Sequence, residues 1–274
     1  RQHLHAFRKI AVMPALLTAC ALSHAAQDLY FNESLSSSEP NRYLGQSANW
    51  YTDEARTQQF TGTLGTDYNG IANSESVIYC SVTNAYKLSL NSLTYNISNA
   101  GMSNGYFMSF GDGGTADLAG DFNMNITLGP GAGGVALEET IRMYGNNTFN
   151  IGGDFNIDYN RAGSGRFLVL NIKTDASTAS TTNTFRVAGD MNVVCRQAES
   201  KFNTNITAFT VGGTVDISSL LWTIGTPGDG YAATVSVGGL TSSDGVSGWL
   251  RSSGGAGMST LILTNSTRHA AAMT

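Results

Sequence analysis

Short runs of alternating apolar and polar residues recur along most of this chain. In Lys87-Leu88-Ser89-Leu90-Asn91 the two leucines share one face, and in Leu93-Thr94-Tyr95-Asn96-Ile97 the apolar residues share the next. Period-two alternation is the signature of a half-buried strand. It slips by one residue at Asn91-Ser92, which predicts a bend between two strands. Further strands are expected at 76–82, 106–110, 166–172, 202–206, 220–224 and 260–263. Turn formers separate them, as in Asn99-Ala100-Gly101, Asn104-Gly105 and Gly111-Asp112-Gly113-Gly114. Only 134–144 hints at a helical turn, with Leu137, Ile141 and Tyr144 at helical spacing around Glu138-Glu139.

One phrase is reused. Phe149-Asn150-Ile151-Gly152-Gly153-Asp154-Phe155-Asn156-Ile157 is an alternating run, a glycine break and a second alternating run. Looser copies begin at Asp117, Phe185, Phe209 and Val235. The second glycine position falls at Gly120, Gly153, Gly189, Gly213 and Gly239, in steps of 33, 36, 24 and 26 residues. Strand, bend and strand repeated at a few tens of residues is the mark of a stacked repeat architecture. The expectation is an all-β fold, a parallel right-handed β-helix or β-solenoid, with these glycines at its structural bends. A β-sandwich is the alternative, since the turn spacing also suits it. The fixed internal phase of the phrase favours the solenoid.

Composition adds a compartment. Charged residues are only 13%, while Gly numbers 32 and Pro 4. Polarity therefore rests on Asn, Ser and Thr, as in secreted β-proteins. The 41% apolar residues and the sustained alternation argue against disorder. A net charge of −5 offers nothing to nucleic acid. Arg1, Arg8 and Lys9 precede an apolar run from Ile10 to Leu22, and Ser23-His24-Ala25 supplies small residues. This reads as a secretory signal peptide over 1–26, cleaved after Ala25 or Ala26. Leu17-Thr18-Ala19-Cys20 also resembles a lipobox, which would place a lipid on Cys20. Residues 27–75 alternate poorly and read as an irregular N-terminal cap, with Trp50 plugging the end of the stack rather than stacking on a sugar. Residues 76–274 carry the repeats. Cys80 and Cys195 lie several coils apart, too far to bridge, and are expected as unpaired, buried thiols.

The order of features resembles the passenger region of bacterial autotransporter-type surface proteins: a signal peptide, Asn49-Trp50, the Ser76-Val77-Ile78-Tyr79 strand, the run Leu88 to Thr94, then the Gly-Gly-Asp phrases. The resemblance implies export, a cell-surface location at the outer membrane and a stalk-like or adhesive role. It also implies an outer-membrane barrel, downstream or in a partner chain, because no series of barrel strands is seen here. An extracellular glycan or a matrix or surface protein would be the partner. Nothing points to an obligate oligomer.

Catalytic chemistry is thinly provided. The histidines are His3, His5, His24 and His269, three in the signal and one near the end, so no Ser-His-Asp site or His-based zinc site is expected. Gly129 to Gly134 lacks the lysine of a phosphate loop. The repeated acids Asp121, Asp154 and Asp190 would form a column if the copies stack. Such a column could hold calcium, but the reading preferred here is that each carboxylate accepts hydrogen bonds from its own bend. No catalytic residue or cofactor is assigned. The enzymatic alternative is a polysaccharide lyase or hydrolase using Asp158 with Arg161 or Arg166, or Asp190 with Arg196.

Overall fold

A computed structural model describes residues 25–32, 43–74, 80–99, 108–128, 141–161, 169–174, 182–195, 200–205, 207–216, 220–224, 233–241, 249–252 and 259–265. These fold almost wholly as β-structure, with one short 3-10 turn at Ser47–Asn49. The strands form a 14-stranded sheet and a 7-stranded sheet. Among the described residues every strand pair is parallel but one, Trp50–Tyr51 against Gln27–Phe31. The antiparallel pairing of a sandwich is therefore not the rule here. Alternation alone could not separate the two, because it reports which face is buried and not strand direction.

The chain visits its strands in a constant order. Met108–Phe110 in the smaller sheet is followed by Thr115–Leu118 and then Phe122–Leu128 in the larger. The next triplet is Ile141–Met143, Thr148–Ile151 and Phe155–Arg161, and each member lies beside its predecessor in register. Each such triplet is one rung of the structure. The triplet before begins at Cys80–Val82 and continues with Leu88–Leu90 and Ser92–Asn99, split at Asn91 where the alternation slips. In the strand Ala208–Asp216 the two flanks of the larger sheet join: its first half pairs with Thr184–Val187 and its second with Met191–Cys195.

Register places like on like inside. Ala116, Phe149, Phe185, Phe209, Val235 and Leu261 face one another across successive rungs, as do Leu93, Phe122, Phe155, Met191, Val215 and Leu240. The ring centroids of Phe122 and Phe155 are 5.2 Å apart with planes at 2°, and those of Phe149 and Phe185 are 5.1 Å apart. These spacings follow the ~4.8 Å separation of neighbouring strands. Each fully buried phenylalanine contributes roughly 1.5–3 kcal/mol relative to exposure, so the ring columns dominate the interior.

A buried amide ladder runs through the same interior. Asn147 and Asn183 are 2% and 0% exposed. Asn183 Oδ1 accepts both the backbone N–H of Asn147, at 3.1 Å, and its Nδ2–H, at 3.0 Å. Asn147 Oδ1 accepts the N–H of Gly114 at 2.9 Å. Satisfied in this way, the amides are tolerated in an apolar setting.

The N-terminal region is more regular than its sequence suggests. Gln27–Phe31 lies parallel to Tyr68–Ser74, which in turn pairs with Ser92–Asn99. The alternation is poor because Tyr68–Ser74 carries Gly70 and Ala72 where large side chains are expected. A Cβ on Gly70 would come within 2.7 Å of both Leu90 and the Trp50 ring, so the glycine makes room for the indole. Trp50 is fully buried, packs edge-on against Phe31 at 5.1 Å and donates Nε1–H to Leu44 O at 2.7 Å. It offers no face to a sugar.

The helical hint at 134–144 is corrected where the structure describes it. Ile141–Met143 is a strand whose buried Ile141 and Met143 flank a half-buried Arg142, paired on both sides. Tertiary pairing overrides the helical spacing; Leu137 and Glu138-Glu139 lie outside the described residues. Cys80 begins the smaller sheet's first strand, and Cys195 ends a strand three rungs further on. That is about 14 Å at the sheet spacing, beyond the reach of a disulfide. Their side chains lie outside the described residues.

Candidate functional site

The Gly-Asp pairs of the repeated phrase come together at one corner of the larger sheet. Asp121 Oδ1 accepts the N–H of Asp154 at 2.8 Å, Asp154 Oδ1 that of Asp190 at 2.7 Å, and Asp190 Oδ1 that of Thr214 at 2.6 Å. Each acid thus serves the next copy's bend and not its own, which corrects the expectation. Steps of 33, 36 and 24 residues are each a single rung.

The glycine before each acid belongs to the same device. A Cβ on Gly153 would collide with Asp121 Oδ1, on Gly189 with Asp154 Oδ1 and on Gly213 with Asp190 Oδ1. Positive φ among the described glycines occurs only at Gly113 and Gly145. The repeated glycines therefore answer to close approach, not to a left-handed backbone. Gly120 opens the ladder beside Asn91 O, at 3.2 Å from a Cβ position. Gly239 departs from the series, because it stands opposite Thr214. The last copy is one residue shorter, and Gly238 alone faces the carbonyls of Gly212 and Gly213 across a bulge.

No group of three or more His, Cys, Asp or Glu suited to a metal occurs among the described residues. In Asp121, Asp154 and Asp190 one oxygen of each carboxylate is already taken by an amide. Two further columns of side-chain amides climb the outer face, one through Asn73, Asn96 and Asn125 and the other through Asn123, Asn156 and Asn192. Asn96 donates to Asn73 at 2.8 Å, Asn125 to Asn96 at 2.8 Å, Asn156 to Asn123 at 2.9 Å and Asn192 to Asn156 at 2.9 Å.

Beside the Gly-Asp corner lies an open cavity of about 480 Å³. One wall is the outward ladder Ser89, Asp117, Asn150, Arg186 and Thr210, which are direct register partners on successive rungs. The floor is the start of each bend: Ala119, Gly152, Ala188 and Gly212, all exposed. Asn150 Nδ2 donates to Asp117 Oδ1 at 2.7 Å. Arg186 is exposed and has no hydrogen-bond or ion-pair partner among the described residues. It stands two rungs from Asp117, about 10 Å at the sheet spacing. Acid, amide, guanidinium and hydroxyl thus follow one another along a floor with no bulky side chain. Sequence reasoning missed this wall. The signal was present: the middle residue of the first alternating run changes from Asp117 to Asn150, Arg186 and Thr210 while its neighbours hold their character.

Asp158 points outward between its register partners Asn125 and Val194, the latter 50% exposed. Arg161 closes the strand of Asp158, its side chain outside the described residues, as are Arg166 and Arg196. Ala26 precedes the first described strand and its carbonyl accepts Asn69 Nδ2 at 3.3 Å; Ala25 is exposed, and Cys20 lies outside the described residues. In the Thr52–Gln59 turn the Asp53 carboxylate accepts the N–H groups of Thr57 and Gln58, the latter at 2.7 Å. The Thr57 amide above all holds its pKa below the ordinary 3.8.

No protein-family model, no curated protein and no solved structure matches this chain.

Proposed function

We propose that the chain is an exported, passenger-like surface protein built as a right-handed parallel β-helix, with a structural or adhesive role and no catalytic step. The observation that carries this reading is the rung-on-rung register. Parallel strands recur in constant order, like residues stack on like, and side-chain ladders run between rungs. Parallel connections of this kind take the right-handed path. The arrangement makes a stiff rod, and its sides repeat exposed amides and hydroxyls at the rung spacing. Many weak polar contacts on one rod add through effective concentration, which is how a stalk adheres without a single deep site. The partner is an extracellular glycan or a matrix or surface protein. Anchoring would come from an outer-membrane barrel downstream or in a partner chain.

Expression of the full gene with intact-cell protease treatment tests the location. Surface-exposed peptides from the strands at 88–216, together with a mature N-terminus following Ala25 or Ala26, are the expected result. Lipid on Cys20 would replace that N-terminus without changing the location. Recovery of the uncleaved chain from the cytoplasm alone would overturn the reading.

A further inference from the structure

We infer that the cavity beside the Gly-Asp corner binds an oligosaccharide carrying a single carboxylate on otherwise neutral sugars, a proposal that deepens the adhesive reading and rests on it. The guanidinium of Arg186 is the anchor. It is exposed, has no hydrogen-bond or ion-pair partner among the described residues, and lies on the wall of a cavity of about 480 Å³. A planar five-donor fork fits a carboxylate in two parallel hydrogen bonds. Thr210 on the next rung and Asn150 on the one before are its direct register partners. Their hydroxyl and amide oxygen suit sugar hydroxyls. Asp117 weakly disfavours a second acid on the ligand. At about 10 Å from Arg186 it repels a second carboxylate there, while it accepts from a hydroxyl with the oxygen that Asn150 leaves free.

The floor separates a glycan from a peptide. Ala119, Gly152, Ala188 and Gly212 form a shallow aliphatic strip that admits the C–H face of a sugar ring. The strands along the wall are hydrogen-bonded on both edges by their neighbouring rungs. An extended peptide therefore finds no free strand edge to augment. The chain's net charge of −5 also gives no general attraction for polyanions, so recognition depends on Arg186 itself.

The test uses purified protein and five probes: lactose, 3′-sialyllactose, lactose bearing a terminal glucuronate, trigalacturonate and a tri-glutamate peptide. Binding is followed by NMR through the Arg186 Nε–H resonance and by saturation transfer. At least one of the two mono-acidic sugars should bind about tenfold more tightly than lactose, and trigalacturonate more weakly than that sugar. Arg186→Gln should reduce the mono-acidic sugar to the level of lactose with unchanged circular dichroism. Asp117→Asn should raise trigalacturonate affinity. If neither mono-acidic sugar exceeds lactose, or if Arg186→Gln leaves binding unchanged, the proposal is overturned. Equal binding of a tri-glutamate peptide overturns the glycan assignment as well. Surface display is read independently by protease treatment of cells, so either result can fail without the other.

Discussion

The carboxylate of Asp154 occupies the space that a side chain on Gly189 would need, and from there accepts the N–H of Asp190 at 2.7 Å. Glycine and acid are thus two halves of one contact made between rungs. The same contact recurs between Asp121 and Gly153, and between Asp190 and Gly213. It ends at Thr214, whose N–H is served but whose register partner Gly239 belongs to a shortened copy.

Gly189→Ala should therefore destabilise through close contact, with Asp154 first and the Gly153 carbonyl next, and not through a left-handed backbone. The displaced carboxylate leaves the Asp190 amide without its acceptor, and crowding adds to the loss, for about 1–3 kcal/mol in all. Asp154→Ala should cost about 1–2 kcal/mol by the lost hydrogen bond. The double variant should cost less than the sum, since removing Asp154 relieves the tightest part of the clash, while the contact with the Gly153 carbonyl oxygen at 2.8 Å remains. Urea denaturation of all four proteins gives the coupling; strict additivity would show that the two residues do not share the contact.

The buried amide ladder should matter more than the exposed columns. Asn183→Ala takes the acceptor from the buried Asn147 backbone N–H and from one of its two Nδ2–H groups, the other staying on Tyr144 O, for roughly 2–4 kcal/mol at about 1–3 kcal/mol each with partial relaxation. Asn156→Ala removes two bonds on the outer face, to Asn123 and from Asn192, where water takes over, and should cost under about 1 kcal/mol in all. The two midpoints in one denaturant series decide it.

Much of this architecture could be read from the chain because burial and alternation are tied together in a strand. The slip at Asn91, the strand at Leu220–Ile224 and the phase of the phrase all survive in the fold. Other features could not be read from alternation alone. Strand direction is silent in alternation, so parallel pairing had to come from the repeat. Gly70 and Ala72 hid the strand Tyr68–Ser74, because their small size is dictated by Trp50 and the neighbouring rungs. The destination of each Asp side chain was also hidden, since a carboxylate on a bend looks the same whether it caps its own turn or the next rung's. The groove wall was hidden for another reason. Its residues differ from copy to copy, and attention to what repeats passes over what varies.

Trp50 should hold the N-terminal end of the stack shut. Trp50→Ala leaves a large hole between Phe31, Gly70 and Leu90 and removes the bond to Leu44 O, for about 3–5 kcal/mol. Gly70→Ala should also destabilise, by overpacking against the same ring. Hydrogen exchange should show Gln27–Phe31 and Tyr68–Ser74 losing protection first, with Phe155–Arg161 little changed. Uniform loss along the chain would mean that Trp50 supports the whole stack and is no local plug.

Calcium should leave the melting temperature unchanged. At Asp121, Asp154 and Asp190 the oxygen facing the neighbouring rung is committed to an amide, and a hard cation needs six to eight oxygens. Thermal melts with millimolar calcium and with a chelator should coincide. A rise with calcium that Asp154→Asn abolishes would show that the outer carboxylate oxygens recruit the ion after all.

Acid should release the Thr52–Gln59 turn only below the range in which an ordinary aspartate takes up its proton. The pKa of Asp53 is lowered in the folded chain, with the Thr57 amide as the largest cause, the opposing effect of desolvation next and the Gln58 amide after it. A depressed folded-state pKa means that the unfolded chain takes up the proton more readily. The stabilisation is therefore fully present above the unfolded value near 3.8 and is lost as pH falls through the lower folded value. Carboxyl-detected NMR should place the Asp53 midpoint below that of an ordinary aspartate. The amide resonances of Thr57 and Gln58 should move with the same midpoint, because their hydrogen bonds go to the group that is being protonated. In Asp53→Asn those amides should no longer titrate there. A midpoint at or above the ordinary value, or amides that ignore it, would place the turn's stability elsewhere, in the Thr52 N–H to Gln58 O bond at 2.9 Å.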